Sequence, residues 1–184
     1  IISWSGSDAA SGITTYEYAL GTTSGGTEII DWVSSGTATS DTLTGLNLTE
    51  GSTYYLSARG TDIAGNISDV LSGDGITIDL TAPTGTTVND GISDDITYTS
   101  SDSTLSANWA AFTDAASGVS KYEVSIGTTI EGTSILDWTD NGIETTYTKT
   151  GLTLSSGTIY FVNVRAADLV GNISDPISTN GVTV

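Results

Sequence analysis

Along residues 105–109 apolar Leu105, Ala107 and Trp109 alternate with polar Ser106 and Asn108. The same period of two recurs at 119–127, where Tyr122, Val124 and Ile126 face one way and Lys121, Glu123 and Ser125 the other. It recurs again at 158–168, where Tyr160, Val162, Val164 and Ala166 point inward and Phe161, Asn163 and Arg165 outward. Alternation of this kind marks a strand with one face on a core. Shorter stretches of similar character lie near 86–89, 103–109, 134–138, 145–150 and 178–184, separated by Gly, Asn and Asp turn signals. The second half of the chain therefore predicts seven short strands and a two-sheet sandwich.

The first half repeats the second. DAASGITTYEYALGTTSGGTEIIDW at 8–32 returns as DAASGVSKYEVSIGTTIEGTSILDW at 114–138, TGLNL at 44–48 as TGLTL at 150–154, and GNISD at 65–69 unchanged at 171–175. Over residues 8–78 about half of the positions are identical to their counterparts, the signature of tandem copies of one folding unit. Trp4 pairs with Trp109 at a spacing one residue shorter, so one residue is inserted just after the second tryptophan. Residues 79–103, DLTAPTGTTVNDGISDDITYTSSDS, have no counterpart and predict a linker followed by the opening strand of copy two. The expected modules are 1–79 and 80–184, the first lacking its opening strand. That strand is either truncated away or supplied by a neighbouring molecule, as in β-strand addition. A start at Ile1, with neither Met nor a leader, predicts an internal piece of something longer.

Composition narrows the function classes. The 184 residues hold 22 acidic against 4 basic side chains, a net charge of −18, with no His, no Cys and no Met. Without His or Cys there is no Ser-His-Asp or Cys-His nucleophile and no thiolate or imidazole zinc site. The acidity opposes a phosphate backbone, so nucleic acid is excluded as a partner. The longest apolar runs fall far short of the roughly 20 residues that span a bilayer. Ser and Thr form roughly a third of the chain, well above ordinary usage. With Val, Ile and Tyr they favour strands, and the chain reads as all-β. Paired carboxylates remain as the catalytic chemistry available, yet two near-copies of one small unit offer no unique cleft for them. The acidity itself has two readings, a solubilising surface or carboxylates that converge on a hard cation such as Ca²⁺.

Trp109 on the second strand, Tyr122-Glu123-Val124 on the third, and GLTLSSGTIYFVNVRAADLVGNIS together resemble a fibronectin type III domain. The spacing from Gly151-Leu152 to Tyr160, and to Tyr54 in copy one, is similar to that family's tyrosine corner. The phrases SG(I/V)xxYE, IGTT, DW and DxxGNxS resemble tandem repeats of bacterial extracellular and surface proteins. The resemblance implies two tandem seven-stranded immunoglobulin-like sandwiches, the first lacking its opening strand, with Trp4, Trp109, Tyr54 and Tyr160 as structural residues. No RGD tripeptide is present, so integrin-type binding is not carried over.

Strand alternation sets Arg59 beside Glu17 and Arg165 beside Glu123, which predicts cross-strand ion pairs. Trp32 and Trp138 on an edge strand are read as covering the core, with sugar stacking as the alternative. Asp62 to Asn66 and Asp168 to Asn172 read as hairpin turns. In this kind of sandwich the loop after the second strand, the loop between the last strands and the incoming linker share one end. Asp114, Asp168 and Asn172 would then face Asp79, and the DxTAP linker is similar to those of bacterial repeats, some of which hold calcium between domains. Asp8 and Asp62 would form an incomplete copy of that site. Asn47, Asn66 and Asn172 open N-glycosylation triplets, and such triplets arise readily by chance.

Repetition extends reach and multiplies weak contacts. The reading is a non-enzymatic, secreted or cell-surface tandem module, acting as spacer, stalk or adhesive segment of a bacterial surface protein or filament. Its expected partners are neighbouring repeats, a cell-surface protein or a glycan, and calcium is its candidate cofactor. Two alternatives stand beside it: an ancillary, glycan-binding module of a secreted carbohydrate-active enzyme, and a self-assembling fibre subunit that exchanges strands.

Overall fold

The computed structural model describes residues 1–184 and contains strands but no helix. It divides into two compact units, Ile1–Ile78 and Asp79–Val184. Asp79 thus sits with the second unit and not at the end of the first, because its carboxylate accepts the Ser117 amide at 3.0 Å.

Unit 1 contains β1 (Ile2–Ser3), β2 (Ile13–Gly21), β3 (Ile30–Gly36), β4 (Ser40–Asp41), β5 (Thr53–Asp62), β6 (Leu71–Ser72) and β7 (Ile76–Thr77). Unit 2 contains β8 (Val88–Asp90), β9 (Leu105–Trp109), β10 (Val119–Gly127), β11 (Leu136–Asp140), β12 (Thr146–Lys149), β13 (Ile159–Asp168), β14 (Ile177–Ser178) and β15 (Val182–Thr183). In unit 2 one sheet runs β11-β10-β13-β14, with β15 also on β13, and the other runs β12-β9-β8. Unit 1 repeats the first sheet as β3-β2-β5-β6, with β7 on β5, but its second sheet is only the pair β1-β4. The closing stretch is two short strands in each unit where the sequence predicts one. A glycine at positive φ, Gly75 or Gly181, precedes the second of them.

The core of unit 2 lies between its sheets, where Leu105, Ala107, Trp109, Tyr122, Val124, Ile126, Tyr160, Val162, Val164 and Ala166 are all buried. These are the inward positions of three strands, so a period of two suffices to locate them. Trp109 and Phe112 both meet the Tyr122 ring edge-on at 5.5 Å, the geometry that aromatic quadrupoles favour. The Phe112 amide donates to the Tyr122 hydroxyl at 2.9 Å. At the corners, the Thr49 amide donates to the Tyr54 hydroxyl and the Ser155 amide to the Tyr160 hydroxyl, each at 2.9 Å.

Two outward positions behave differently from their sequence reading. Ser125 and Asn163 are fully buried although they alternate with core residues. The loop after β10 folds back over the outer face, where Asn163 accepts the Glu131 amide and donates to the Gly132 carbonyl at 2.8 Å. Gly127 and Gly132 permit this crossing: a Cβ on Gly127 would come within 2.6 Å of the Gly132 backbone. Gly21 and Gly26 make the same crossing in unit 1, where Ser57 takes the place of Asn163 and accepts the Gly25 amide at 3.0 Å.

Candidate functional site

Three carboxylates of unit 2 gather at one end of the sandwich. Asp79, Asp114 and Asp168 each offer an oxygen within 4.8 Å of the others, and Asp79 and Asp168 are buried. Each is placed by turn chemistry. Asp114 Oδ1 accepts the amides of Ala116, Ser117 and Gly118 at 3.2, 2.9 and 2.7 Å, which closes the turn before β10. Asp168 Oδ1 accepts those of Val170, Gly171 and Asn172 at 2.9, 2.7 and 2.9 Å, which closes the turn after β13. Asp79 Oδ1 accepts the Thr81 amide at 3.2 Å. Short polar side chains bonding to backbone amides a few residues on are the usual means of fixing such turns.

Asn172 ties the three segments together. Its Nδ2 donates to Asp168 Oδ2 at 2.7 Å and to the Thr81 carbonyl at 3.1 Å, and lies 3.4 and 3.5 Å from the Asp79 carbonyl and Oδ1. An amide nitrogen carrying partial positive charge is thus surrounded by oxygens. Burial pushes the Asp168 carboxyl up, but hydrogen bonds from Asn172, Gly171 and Val170 outweigh it and hold the group below its ordinary range. The four sequence-predicted residues Asp79, Asp114, Asp168 and Asn172 therefore lie together. Unit 1 has only part of this arrangement. Asp8 Oδ1 caps Ala10, Ser11 and Gly12, and Asp62 holds Asn66 through backbone and side chain, both at 2.7 Å, with no third acid in the unit beside them.

The outer faces carry a second recurring arrangement. Arg59 Nε donates to Glu17 Oε2 at 2.8 Å, and Arg165 Nε donates to Glu123 Oε2 at 2.8 Å. The register places the partners directly opposite, Glu17 against Arg59 and Glu123 against Arg165. Lys121 adds a donor to Glu123 Oε1 at 2.7 Å. Lys121 and Arg165 together hold the Glu123 carboxyl low, against a smaller upward push from burial. Trp32 and Trp138 do not cover the core as the sequence reading expects. Each lies on the outer face under its arginine, with the guanidinium carbon 4.2 Å from the ring centroid. Strand β3 or β11 brings the ring there because Asp-Trp sits one strand away from the Glu-Arg rung.

Sequence reasoning missed Asp90. This residue of β8 is fully buried, its Oδ2 accepts the Gly181 amide at 3.0 Å, and its Oδ1 has no partner. Burial pushes its carboxyl up to about 6 against hydrogen bonds from Thr179 and Gly181, and neighbouring Asp95 adds to the push. Nothing in Val-Asn-Asp announces this, since the burial depends on the β14–β15 turn closing over the strand.

Comparison with known proteins places the fold. No protein-family profile matches the chain. It is 34% identical over 189 aligned residues to Exoglucanase B of Cellulomonas fimi, a match that takes in 99% of this chain and 15% of that protein. The chain thus spans under a sixth of the length of the curated relative. Among solved structures, a segment of titin domains aligns with a TM-score of 0.56 and 16% identity over 92% of this chain and 54% of the other. The FN1-FN3 domains of chicken CNTN1 align with a TM-score of 0.50 and 14% identity, over 92% of this chain and 56% of theirs. Both units are fibronectin type III-like β-sandwiches, in tandem, of the kind that occurs in bacterial proteins.

Proposed function

We propose that the chain is a non-catalytic tandem module of a secreted protein, and that it serves as the ancillary, spacing part of an enzyme acting on a polysaccharide. The observation that carries this reading is the alignment of both units, end to end, with a small portion of a protein named as an exoglucanase. Two sandwiches with their functional-looking polar groups engaged in turns and cross-strand pairs suit a spacer, whose work is to hold neighbouring parts at a distance. A stalk or adhesive segment of a surface protein uses the same physics with different neighbours. The test replaces the matching segment of Exoglucanase B with this chain. Deletion of the segment should lower hydrolysis of insoluble cellulose, and the graft should restore it to within about twofold, a difference well under one kcal/mol. Sugar released by the isolated chain, or a deletion without effect, would remove the reading.

The second reading is a divalent cation held by unit 2, favoured by the convergence of Asp79, Asp114 and Asp168. A hard cation such as Ca²⁺ takes six to eight oxygens from carboxylates, carbonyls and amides. Asp79 and Thr81 carbonyls, the three carboxylates and the Asn172 amide, turned to present its oxygen, are the donors that would hold it. The Ser117 amide donates to both Asp79 and Asp114, and its hydroxyl, buried without a partner, fits a site tuned to oxygen ligands. Bound there, the cation would replace turn-by-turn hydrogen bonds as the tie between the segment at Asp79 and the two loops. Calorimetry in millimolar Ca²⁺ against chelator should show a rise of several degrees, abolished by Asp168→Asn and retained in Asp62→Asn. Identical melting in the two buffers would sink it.

A further inference from the structure

Phe161 leans across the outer face of its sheet instead of standing off it. Register sets Gly127 opposite it on β10, and the β13–β15 register continued by one residue sets Gly181 on its other side. A Cβ on Gly181 would lie 2.8 and 3.2 Å from the ring carbons Cε1 and Cζ, so the far edge of the ring fills the space a side chain would take. Unit 1 repeats the arrangement with Tyr55, whose Cε1 and Cζ lie 2.9 and 3.2 Å from the same point on Gly75. A ring laid over a cross-strand glycine covers backbone that would otherwise be bare. It also turns one face to water, and both rings are only half-buried.

In unit 2 the apolar surface continues beyond Phe161. Residues 95–99 run parallel to 180–184: the Thr183 amide donates to the Thr97 carbonyl and its carbonyl accepts the Thr99 amide, both at 2.9 Å, with Tyr98 beside Thr183. Ile159 pairs with Thr183 from the other side. Tyr160 and Val182 are buried in the core, so Ile159, Thr183 and Tyr98 form a row on the outer face. Ile159 is 48% exposed and Tyr98 75%. Two interstrand steps and two residues separate Phe161 from Tyr98, roughly 12 Å by strand geometry. At the margin of the row the Asn180 Nδ2 donates to Asp95 Oδ2 at 2.9 Å, and both residues are exposed.

We infer that this face binds a neutral β-linked hexose chain, with Phe161 and Tyr98 stacking on sugar rings one disaccharide apart and the Asn180–Asp95 pair engaging hydroxyls at the edge. The C–H face of a pyranose carries partial positive charge and meets the negative face of an aromatic ring. Glycines at 127 and 181 keep the surface low, which suits a flat ligand and gives a protruding protein side chain no hole to fill. A net charge of −18 opposes an anionic polymer, and the row offers no cation to hold one. Trp32 and Trp138 are not the platforms, because each already carries an arginine. The inference rests on the reading of the chain as part of a polysaccharide-acting enzyme, and it adds the surface and the class of ligand.

The test titrates cellohexaose into the full chain and follows amide and ring resonances. Signals of Phe161, Gly181, Thr183 and Tyr98 should shift together and saturate at millimolar sugar. Phe161→Tyr should bind within about twofold of the parent, whereas Phe161→Leu, which keeps apolar bulk but loses the ring face, should bind about tenfold more weakly. Tyr98→Ala should weaken cellohexaose several-fold and leave cellobiose unchanged, since only the longer chain reaches both rings. Stationary signals at tens of millimolar cellohexaose, or equal binding by Phe161→Leu, would overturn the inference. Tighter binding of oligogalacturonate than of cellohexaose would overturn the assignment to a neutral chain. Absent binding beside a graft that restores cellulose hydrolysis would strike this inference alone, whereas a failed graft beside intact binding would strike only the spacer reading.

Discussion

The Arg165 guanidinium carbon sits over Trp138, 4.2 Å from the ring centroid, while its Nε and a terminal nitrogen both converge on Glu123. The stack fixes a long side chain that would otherwise lose entropy on pairing, and the pair aims the guanidinium plane at the ring. Lysine can supply the charge but neither the planar stack nor the fork. Arg165→Lys should therefore destabilise unit 2 by about 1 kcal/mol, with Trp138→Ala costing a similar amount and the double variant less than the sum. Urea unfolding of the three variants measures the coupling, and strict additivity would show that stack and pair are independent.

Asp90 predicts an inverted pH dependence. Its folded-state carboxyl is raised to about 6 from an ordinary value of 3.8, so between those values the folded chain binds more proton than the unfolded one. Stability from this group is complete below about pH 4 and is lost as the pH rises through 6, a span of order 3 kcal/mol at most. Asp168 and Glu123, held low, act oppositely and lose their contribution only as the pH falls below 4. Asp90→Asn should flatten the profile between pH 4 and 7 and leave the acid limb in place. A wild-type profile already flat across that interval would contradict the assignment.

Glu131 is the one non-glycine residue at positive φ, 59°, and unit 1 has Gly25 at the same position. An L side chain in the left-handed region costs roughly 1 kcal/mol relative to glycine. Glu131→Gly should raise the melting temperature of unit 2 by a few degrees, whereas Gly25→Glu should lower that of unit 1. Opposite signs at equivalent positions make the comparison internally controlled.

The tyrosine corners provide a further pair. The Tyr160 hydroxyl takes the Ser155 amide, and the Tyr54 hydroxyl takes the Thr49 amide. Tyr160→Phe leaves that amide unmatched with little change in shape, which costs about 1–3 kcal/mol. Denaturant midpoints for Tyr160→Phe and Tyr54→Phe should fall together, and a neutral Tyr160→Phe would mean that water satisfies the Ser155 amide.

What could be read in advance follows the physics of each element. Tyr122, Val124 and Ile126 alternate cleanly, so the inward face of β10 is visible in the string of letters, and the Glu123–Arg165 rung follows from the register of two long strands. Asn163 and Ser125 misled because alternation reports only which face a residue takes, not whether a loop later folds over it. The loop's own signal was the spaced glycines Gly127 and Gly132, whose close approach becomes visible only in three dimensions. Trp138 misled for a related reason: an aromatic beside an edge has two surfaces to choose from, and the arginine that claims it is distant in sequence. The acids at 79, 114 and 168 were legible because turn chemistry is local and the fold brings their loops to one end.

The matched rungs carry a consequence for refolding. Glu17 faces Arg59 and Glu123 faces Arg165 in the same register, so a β2 that annealed by mistake to β13 would find its arginine, its length and its turn residues all in order. Volume and charge tell the partners apart: Tyr18 would enter a space shaped by the much smaller Val124, and Thr15 would stand where β10 carries Lys121, the second cation on Glu123. Tandem chains whose copies are this alike tend to trap themselves in exchanged pairings when both unfold at once. Thermal unfolding of the whole chain should accordingly show hysteresis that disappears when either unit is melted alone, and the steric misfit at a single core position sets how quickly the error is corrected.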